Sequence, residues 1–279
     1  MTNNTKNITN IDENLINEFQ QNGAIVVRNL ISQTELDNLA KAIERDIAKP
    51  GPFYHGYETK NEGTFHGNLR LWEHDLDFRA LCLDSSLPKI AHRFLSGKRI
   101  NLLYDQLFVK ESSTTQRTRW HNDLPYWPIR GDKVVSIWIA LDHVTKDSGA
   151  LEFVRGSHRW DRFFQPETFG KTKAIDAYEI NPNYEPMPDI ESDRSQFDII
   201  SWDLQPGDAY VFHGMTVHGA AGNSTSNRRR RGYTIRYTGD DVVYDTRIGT
   251  NKTLRFEDLN DGDPIDSDRF PVVFAASKN

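Results

Sequence analysis

His121 and Asp123, two residues apart in Trp120-His121-Asn122-Asp123, pair an imidazole with a carboxylate, and each can donate a lone pair to a divalent cation. On an extended chain residues i and i+2 share a face, so the spacing aims both ligands at one point. A third candidate comes much later, at His218 in Phe212-His213-Gly214-Met215-Thr216-Val217-His218-Gly219. Two histidines and one carboxylate with coordination positions left open form the ligand set of non-haem Fe(II) oxygenases. If the three converge, the chain activates oxygen at a metal. His213 competes with His218 for the third position. The two are an odd number of residues apart and would face opposite ways on an unbroken strand.

The elements that must position these residues are strands. From Ile100 onward the chain reads as short apolar runs between turn residues: Asn101 to Lys110, Thr118 to Asp123, Val134 to Leu141, Leu151 to Val154, Asp208 to Phe212 and Gly232 to Tyr237. Many strands without helices between them predict a mainly β sandwich or barrel. Val134 to Leu141 is nearly all apolar, which predicts a central strand covered on both faces. Ahead of it, apolar spacing predicts a helix over Asp12 to Gln21, stopped at Asn22-Gly23, then a buried strand Ala24 to Val27. Ser32 and Glu35 have the form of a capping box opening a second helix that runs to about Ala48. Asp77 to Leu83 and Leu87 to Leu95 read as two more.

Two stretches lack a regular period. Pro50 to His66 is rich in glycine and aromatic residues and predicts an irregular, mobile loop, a candidate lid. Phe163 to Asp203 is polar and longer than an ordinary connection, which predicts an inserted excursion over a pocket mouth. The expected organisation is one domain: a mostly helical front over about residues 11–99, a β core over about 100–245 with the insertion 163–203, and a C-terminal extension 246–279.

Composition excludes several alternatives. With 34 basic against 40 acidic residues the net charge is -6, which offers no global attraction to nucleic acid or an anionic membrane. Cys82 is the only cysteine, so no disulfide, thiolate zinc site or iron-sulfur cluster can be built within this chain. Met1 to Asn10 is Asn- and Thr-rich without an apolar core, and no later run approaches the ~18 apolar residues of a membrane span. The expected setting is the cytoplasm, and the expected partner a small-molecule substrate.

In order along the chain, Gln106-Leu107-Phe108-Val109-Lys110, Trp120-His121-Asn122-Asp123, Ser136 to Asp142, Gly149 to Val154, Gly156-Ser157-His158 and Phe212 to Tyr237 resemble the phytanoyl-CoA dioxygenase family of Fe(II)/2-oxoglutarate-dependent oxygenases. The resemblance runs from about residue 15 to 245. It implies a double-stranded β-helix, the cupin-like jelly roll, with His121, Asp123 and His218 as iron ligands and catalytic centre. His218 is favoured over His213 because the matching histidine is followed by glycine and small residues, here Gly219-Ala220-Ala221; His213 then supports the site or packs in the core. The implied cofactors are Fe(II), 2-oxoglutarate as co-substrate and O2, and the implied reaction is hydroxylation with release of succinate and CO2. Retention of the Asp123 carboxylate argues against halogenation, which needs that position for halide.

A dicarboxylate co-substrate needs a cation for its far carboxylate, and an arginine fork suits it. Arg228 to Arg231 supplies candidates, although such a run also suits a solvated basic loop. Counting from His218 as the family does chooses Arg229; counting back from the strand chooses Arg230, preferred here because strands fix side-chain direction while loops absorb insertions. Lys110, Ser136 and Trp138 are further co-substrate candidates, with Tyr104 and Gln106 on the face of Lys110. Trp127 and Tyr126, just after the ligands, are the candidate substrate contacts. His55, His66, His74, His92, His143 and His158 read as structural or surface residues. A cupin-like metal sensor or a non-oxidative metalloenzyme would use the same triad without needing the arginine.

Overall fold

The computed structural model describes residues 11–57, 63–167 and 178–276. The Asn- and Thr-rich residues 1–10, the middle of the expected Pro50 to His66 loop and residues 168–177 of the insertion lie outside them. The helices form where the sequence signals place them: α1 (Glu13–Asn22), α2 (Gln33–Ala48), α3 (Leu76–Leu83) and α4 (Leu87–Leu95). Gly23 ends α1 in the left-handed region at φ 77°, and the Ser32–Glu35 capping box closes reciprocally at the start of α2. No helix among the described residues is long and apolar enough to cross a membrane.

The strands, in chain order, are β1 (Ala24–Val27), β2 (His55–Tyr57), β3 (Phe65–Leu69), β4 (Arg99–Lys110), β5 (Thr118–His121), β6 (Ile129–Arg130), β7 (Val134–Ala140), β8 (Leu151–Val154), β9 (Ile199–Ser201), β10 (Ala209–His213), β11 (His218–Ala220), β12 (Arg230–Thr238), β13 (Val243–Tyr244) and β14 (Val272–Ala275). Among the described residues they build a large sheet in the order β1-β10-β7-β12-β4-β3-β2, with β14 also on β4, a smaller sheet β5-β11-β8-β9, and the pair β13-β6. All pairings are antiparallel.

Strand alternation divides the core in two. From β7, Val135, Ile137 and Ile139 turn toward the helices and pack with Leu39, Ile43, Phe78 and Ile90. Trp138 and Ala140 point the other way, where they meet Leu151, Phe153 and Ala220 of the small sheet. The near-continuous apolar run of β7 is thus required by cover on both faces. Two antiparallel sheets face to face, with helices on the outer face of the larger, make a double-stranded β-helix, the jelly roll.

Two local expectations are corrected, and a third point concerns His213. The stretch expected to be an irregular loop instead forms the β2-β3 hairpin, because β3 satisfies the outer edge of β4, with Phe65 opposite Lys110 and Leu69 opposite Gln106. The strand expected to run to Asp123 stops at His121, and Asp123 precedes a 3-10 turn, Leu124–Tyr126. His213 and His218 do not share a strand, since the chain crosses from the large sheet to the small one between them.

Under the helices, the large sheet buries the acid Asp105. Asp105 accepts hydrogen bonds from the Tyr233 hydroxyl (2.5 Å) and the Trp72 backbone N–H (3.1 Å), and the Cys82 thiol lies 3.2 Å from the same hydroxyl. Burial pushes the Asp105 carboxyl up to about 7, and its hydrogen bonds only partly oppose this. A carboxyl raised on folding contributes stability that is complete below its unfolded value and is lost as pH rises through its folded value. Asp105→Asn should therefore gain stability relative to wild type as pH rises from about 4 to about 8, by an amount on the order of a few kcal/mol, seen as a rising difference in melting temperature. Thermal unfolding of both proteins across that range checks it; a pH-independent difference would contradict it.

Candidate active site

The β5-β11 pairing sets His121 directly opposite His218. Asp123 comes from the turn after β5 rather than from the strand face, yet its carboxylate reaches the same point. Its Oδ1 lies 3.2 Å from His121 Nε2 and 3.9 Å from His218 Nε2. The three possible ligand atoms fall within 4.8 Å of one another, and all three residues are buried. In each histidine Nδ1 faces a backbone carbonyl two residues earlier, Arg119 O at 2.8 Å and Thr216 O at 3.0 Å. A carbonyl only accepts, so the proton sits on Nδ1 and the Nε2 lone pair points at the centre. Burial, helped by the neighbouring His121, lowers His218 to about 4, which keeps it a neutral ligand. Burial alone would raise Asp123, but His218, His121 and Arg236 hold its carboxyl below the usual carboxylate range. Two imidazoles presenting Nε2 and one carboxylate, with no other acid in the group among the described residues, suit a divalent metal with open positions.

The triad opens into a cavity of about 270 Å³. One end holds Arg230 and Lys110, cross-strand partners on β12 and β4, both buried. Arg230 donates to Gly149 O (3.2 Å) and lies over the Trp138 ring at 5.4 Å, while Lys110 Nζ donates to Ala221 O (2.7 Å). Burial lowers both, Arg230 to about 10 and Lys110 well below the usual lysine value, the latter also through Arg230 beside it. Arg229 and Arg231 point to the opposite face, where both pair with Glu44 of α2, and Arg231 also with Asp142. Alternation thus separates one inward arginine from its neighbours; Arg229 does not line the cavity.

Trp138, Tyr104, Gln106 and Tyr126 line the wall, and the Tyr126 hydroxyl donates to Asp123 Oδ1. Trp127, expected to touch substrate, lies behind the wall: it is fully buried and its Nε1 donates to the Tyr104 hydroxyl at 2.7 Å. The 3-10 turn sends successive aromatic rings in different directions, so Tyr126 faces the cavity and Trp127 the core. Ser136 is also behind the lining, opposite Arg236 across β7 and β12. His213 sits outside the site, its Nε2 on Asp132 O at 2.7 Å.

Sequence reasoning missed other lining residues. His55, Tyr57 and Phe65 come from the β2-β3 hairpin, Tyr178 from the insertion, and Asn251 and Thr253 from the C-terminal stretch. None carries a local motif; only the fold brings them to the mouth. Arg236 also lines the cavity. Its signal was available, since residues 230, 232, 234 and 236 of one strand share a face.

Arg247 holds the ligand loop. Its guanidinium donates to the backbone oxygens of Leu124 (2.7 Å), Trp127 (2.9 Å) and Ile129 (2.8 Å), to the Tyr184 hydroxyl (2.7 Å) and to Asp245 (2.6 Å). The other side of the loop is pinned where Gly214 O accepts both Asp123 N–H and Leu124 N–H, each at 2.9 Å. Glycine is required there, because a Cβ would meet the Trp127 ring at 2.9 Å. Arg247→Ala should leave the secondary structure intact but weaken Mn(II) binding about ten-fold or more, the usual cost of loosening the groups behind a ligand. Calorimetric titration with Mn(II) checks this; unchanged affinity would show that Asp123 is positioned without the clamp.

Comparison with known proteins agrees with this geometry. The profile of the family described as phytanoyl-CoA dioxygenase (PhyH) matches residues 19–232. Peroxisomal phytanoyl-CoA dioxygenase of Mus musculus is 23% identical over 76% of this chain, a match spanning 64%, just under two thirds, of the mouse protein. Among solved structures, the non-haem α-ketoglutarate-dependent carbocyclase SnoK from nogalamycin biosynthesis superposes with a TM-score of 0.75 at 21% identity, covering 96% of this chain and 98% of SnoK. The epimerase SnoN in complex with Fe3+, α-ketoglutarate and nogalamycin RO does so with a TM-score of 0.69 at 23% identity, over 94% and 98%. With its jelly roll, its His-Asp-His triad and a family match over most of its length, the chain belongs to the phytanoyl-CoA dioxygenase family of Fe(II)/2-oxoglutarate-dependent oxygenases.

Proposed function

We propose that this protein is an Fe(II)/2-oxoglutarate-dependent dioxygenase that hydroxylates a small organic molecule and releases succinate and CO2. The observation that carries the reading is one cavity with His121, Asp123 and His218 in its wall and the buried Arg230 at one end, beside Lys110. His121, Asp123 and His218 would hold the iron; bound Fe(II) with 2-oxoglutarate and O2 supplies the oxidant.

The chain's own residues do the rest. Arg230, always cationic and pre-aligned over Trp138, takes the far carboxylate of the co-substrate. Lys110, whose pKa burial and the neighbouring Arg230 lower, adds a second donor beside the arginine. Tyr126 fixes Asp123 by donating to Oδ1, and the rings of Phe53, Tyr57, Phe65 and Tyr178 exclude water around the substrate. A metal sensor would have no use for the buried arginine end. Since SnoK is described as a carbocyclase and SnoN as an epimerase, a redox outcome without oxygen insertion is the second reading. Retention of Asp123 favours hydroxylation over halogenation.

A metabolite screen for substrate-stimulated succinate release tests the class, and 18O2 label in the product separates hydroxylation from ring closure or epimerisation. His121→Ala, Asp123→Ala and His218→Ala should each abolish Fe(II)-dependent succinate formation while circular dichroism stays that of wild type. Arg230→Met should raise the 2-oxoglutarate requirement about ten-fold or more, the loss of a charge-assisted contact. Arg229→Met should leave it unchanged. The reverse pattern, measured as the KM for 2-oxoglutarate, would move the anchor to Arg229.

A further inference from the structure

The cavity has a second cationic end. Arg236, also on β12, lines the cavity, is 3% exposed, and lies over the rings of Tyr104 at 4.4 Å and Trp127 at 5.5 Å. Its Nε and Nη1 find no hydrogen-bond partner among the described residues. Asp123 does not satisfy it: Oδ2 is 3.7 Å from Nε, beyond hydrogen-bond reach, and is itself unpartnered, while Oδ1 faces the histidines. Two hydroxyls beside it are in the same state. Ser136 Oγ, on the residue directly opposite Arg236, and Thr234 Oγ1, two residues back on the same face, are buried without a partner. Native proteins rarely bury a charge and hydroxyls unsatisfied, and Arg236 and Thr234 in one cavity wall, with Ser136 just behind it, call for a polar ligand.

This end is separate from the Arg230 end. Gly232 lies between them on the same face, and the space over it is filled by the Trp138 indole, which a Cβ there would meet at 1.9 Å. Charge gives the sign of the ligand. Asp123 is the only acid among the described lining residues; with the lining Arg117 neutralised by its 2.8 Å ion pair to Glu191, a divalent metal with Arg230 and Arg236 outweighs it by three charges. Doubly charged 2-oxoglutarate leaves one positive charge, without counting Lys110, and burying it alone would be costly.

We propose that Arg236, flanked by Ser136 and Thr234, is a second anion-binding site that takes a carboxylate or similar monoanionic oxyanion of the primary substrate beside the metal triad, while Arg230 holds 2-oxoglutarate; this rests on the co-substrate reading above. Substrates of the enzyme are accordingly acids, bound with the anionic group toward Tyr104 and the apolar remainder among the aromatic rings of the mouth.

The test uses the full chain loaded with Mn(II) and N-oxalylglycine, with benzoate and its neutral isostere benzamide as probes read by calorimetry. Wild type should bind benzoate at least about five-fold more tightly than benzamide, and Arg236→Met should erase that preference while changing N-oxalylglycine affinity less than about two-fold. Arg236→Lys should retain part of the preference, and Thr234→Val should reduce it, which keeps the test decisive if the methionine variant folds poorly by circular dichroism. Equal binding of the two probes to wild type, or a preference that survives in Arg236→Met, overturns the proposal. A ten-fold loss of N-oxalylglycine in Arg236→Met without a benzoate preference would overturn it too, by assigning the anion to the co-substrate. If Arg230→Met binds N-oxalylglycine as wild type does, the co-substrate reading fails instead, a result independent of the probe pair.

Discussion

The register of β5 against β11 is the constraint on which the chemistry of this molecule depends. It places His121 opposite His218 across one pair of antiparallel strands, at the short separation where cross-strand side chains touch. A slip of one residue would turn His218 to the other face of the sheet and leave a single histidine beside Asp123. The register is held from both sides, because β8 also pairs with β11, with Phe153 opposite His218. The His218 ring packs against Phe153 and Phe212, so the ligand is anchored in the seam between the two sheets.

The carboxylate is positioned by different means. Asp123 sits in a turn, where backbone direction is set by hydrogen bonds rather than by a ladder, and the chain invests accordingly: Gly214 O on one side, the Arg247 guanidinium on the other, the Tyr126 hydroxyl on the carboxylate itself. A strand holds a ligand by pairing; a turn needs a clamp. Arg247 lies far along the chain, so the segment after the last core strand takes part in holding the candidate metal site.

The large sheet separates two kinds of interior. Its helix side is mostly apolar, with the buried Asp105, Tyr233 and Cys82 cluster and, toward α2, the Arg229 and Arg231 ion pairs, whereas its cavity side carries Lys110, Arg230 and Arg236 within a layer of aromatic rings. The alternating pleat lets one strand, β12, serve both: Tyr233, Ile235 and Tyr237 pack under the helices, while Arg230, Thr234 and Arg236 face the cavity. Cations are tolerated there because planar guanidinium groups rest on Trp138, Tyr104 and Trp127 faces, which recover part of the lost hydration.

Much of this was legible in the residues alone. Helix ends follow local rules, and the Ser32–Glu35 box and Gly23 mark them without reference to the rest of the chain. The apolar run of β7 announces a strand covered on both faces, and the preference for Arg230 over Arg229 follows from the two-residue period of β12. The ligand types, two imidazoles and a carboxylate, were readable because their chemistry is carried by identity and order, and the family pattern chose His218 over His213. The sequence could not show that Trp127 turns into the core while Tyr126 faces the cavity, that the aromatic stretch before His66 is a sheet-edge hairpin, or that the Arg236 Nε and Nη1 lack hydrogen-bond partners beside Asp123. Those depend on which groups the fold brings within a few ångströms across long sequence separations. Local propensity determined the elements and the donor set of this protein; tertiary packing alone decided the geometry of the site, because side-chain direction in turns and the satisfaction of buried charge are settled by neighbours distant in the chain.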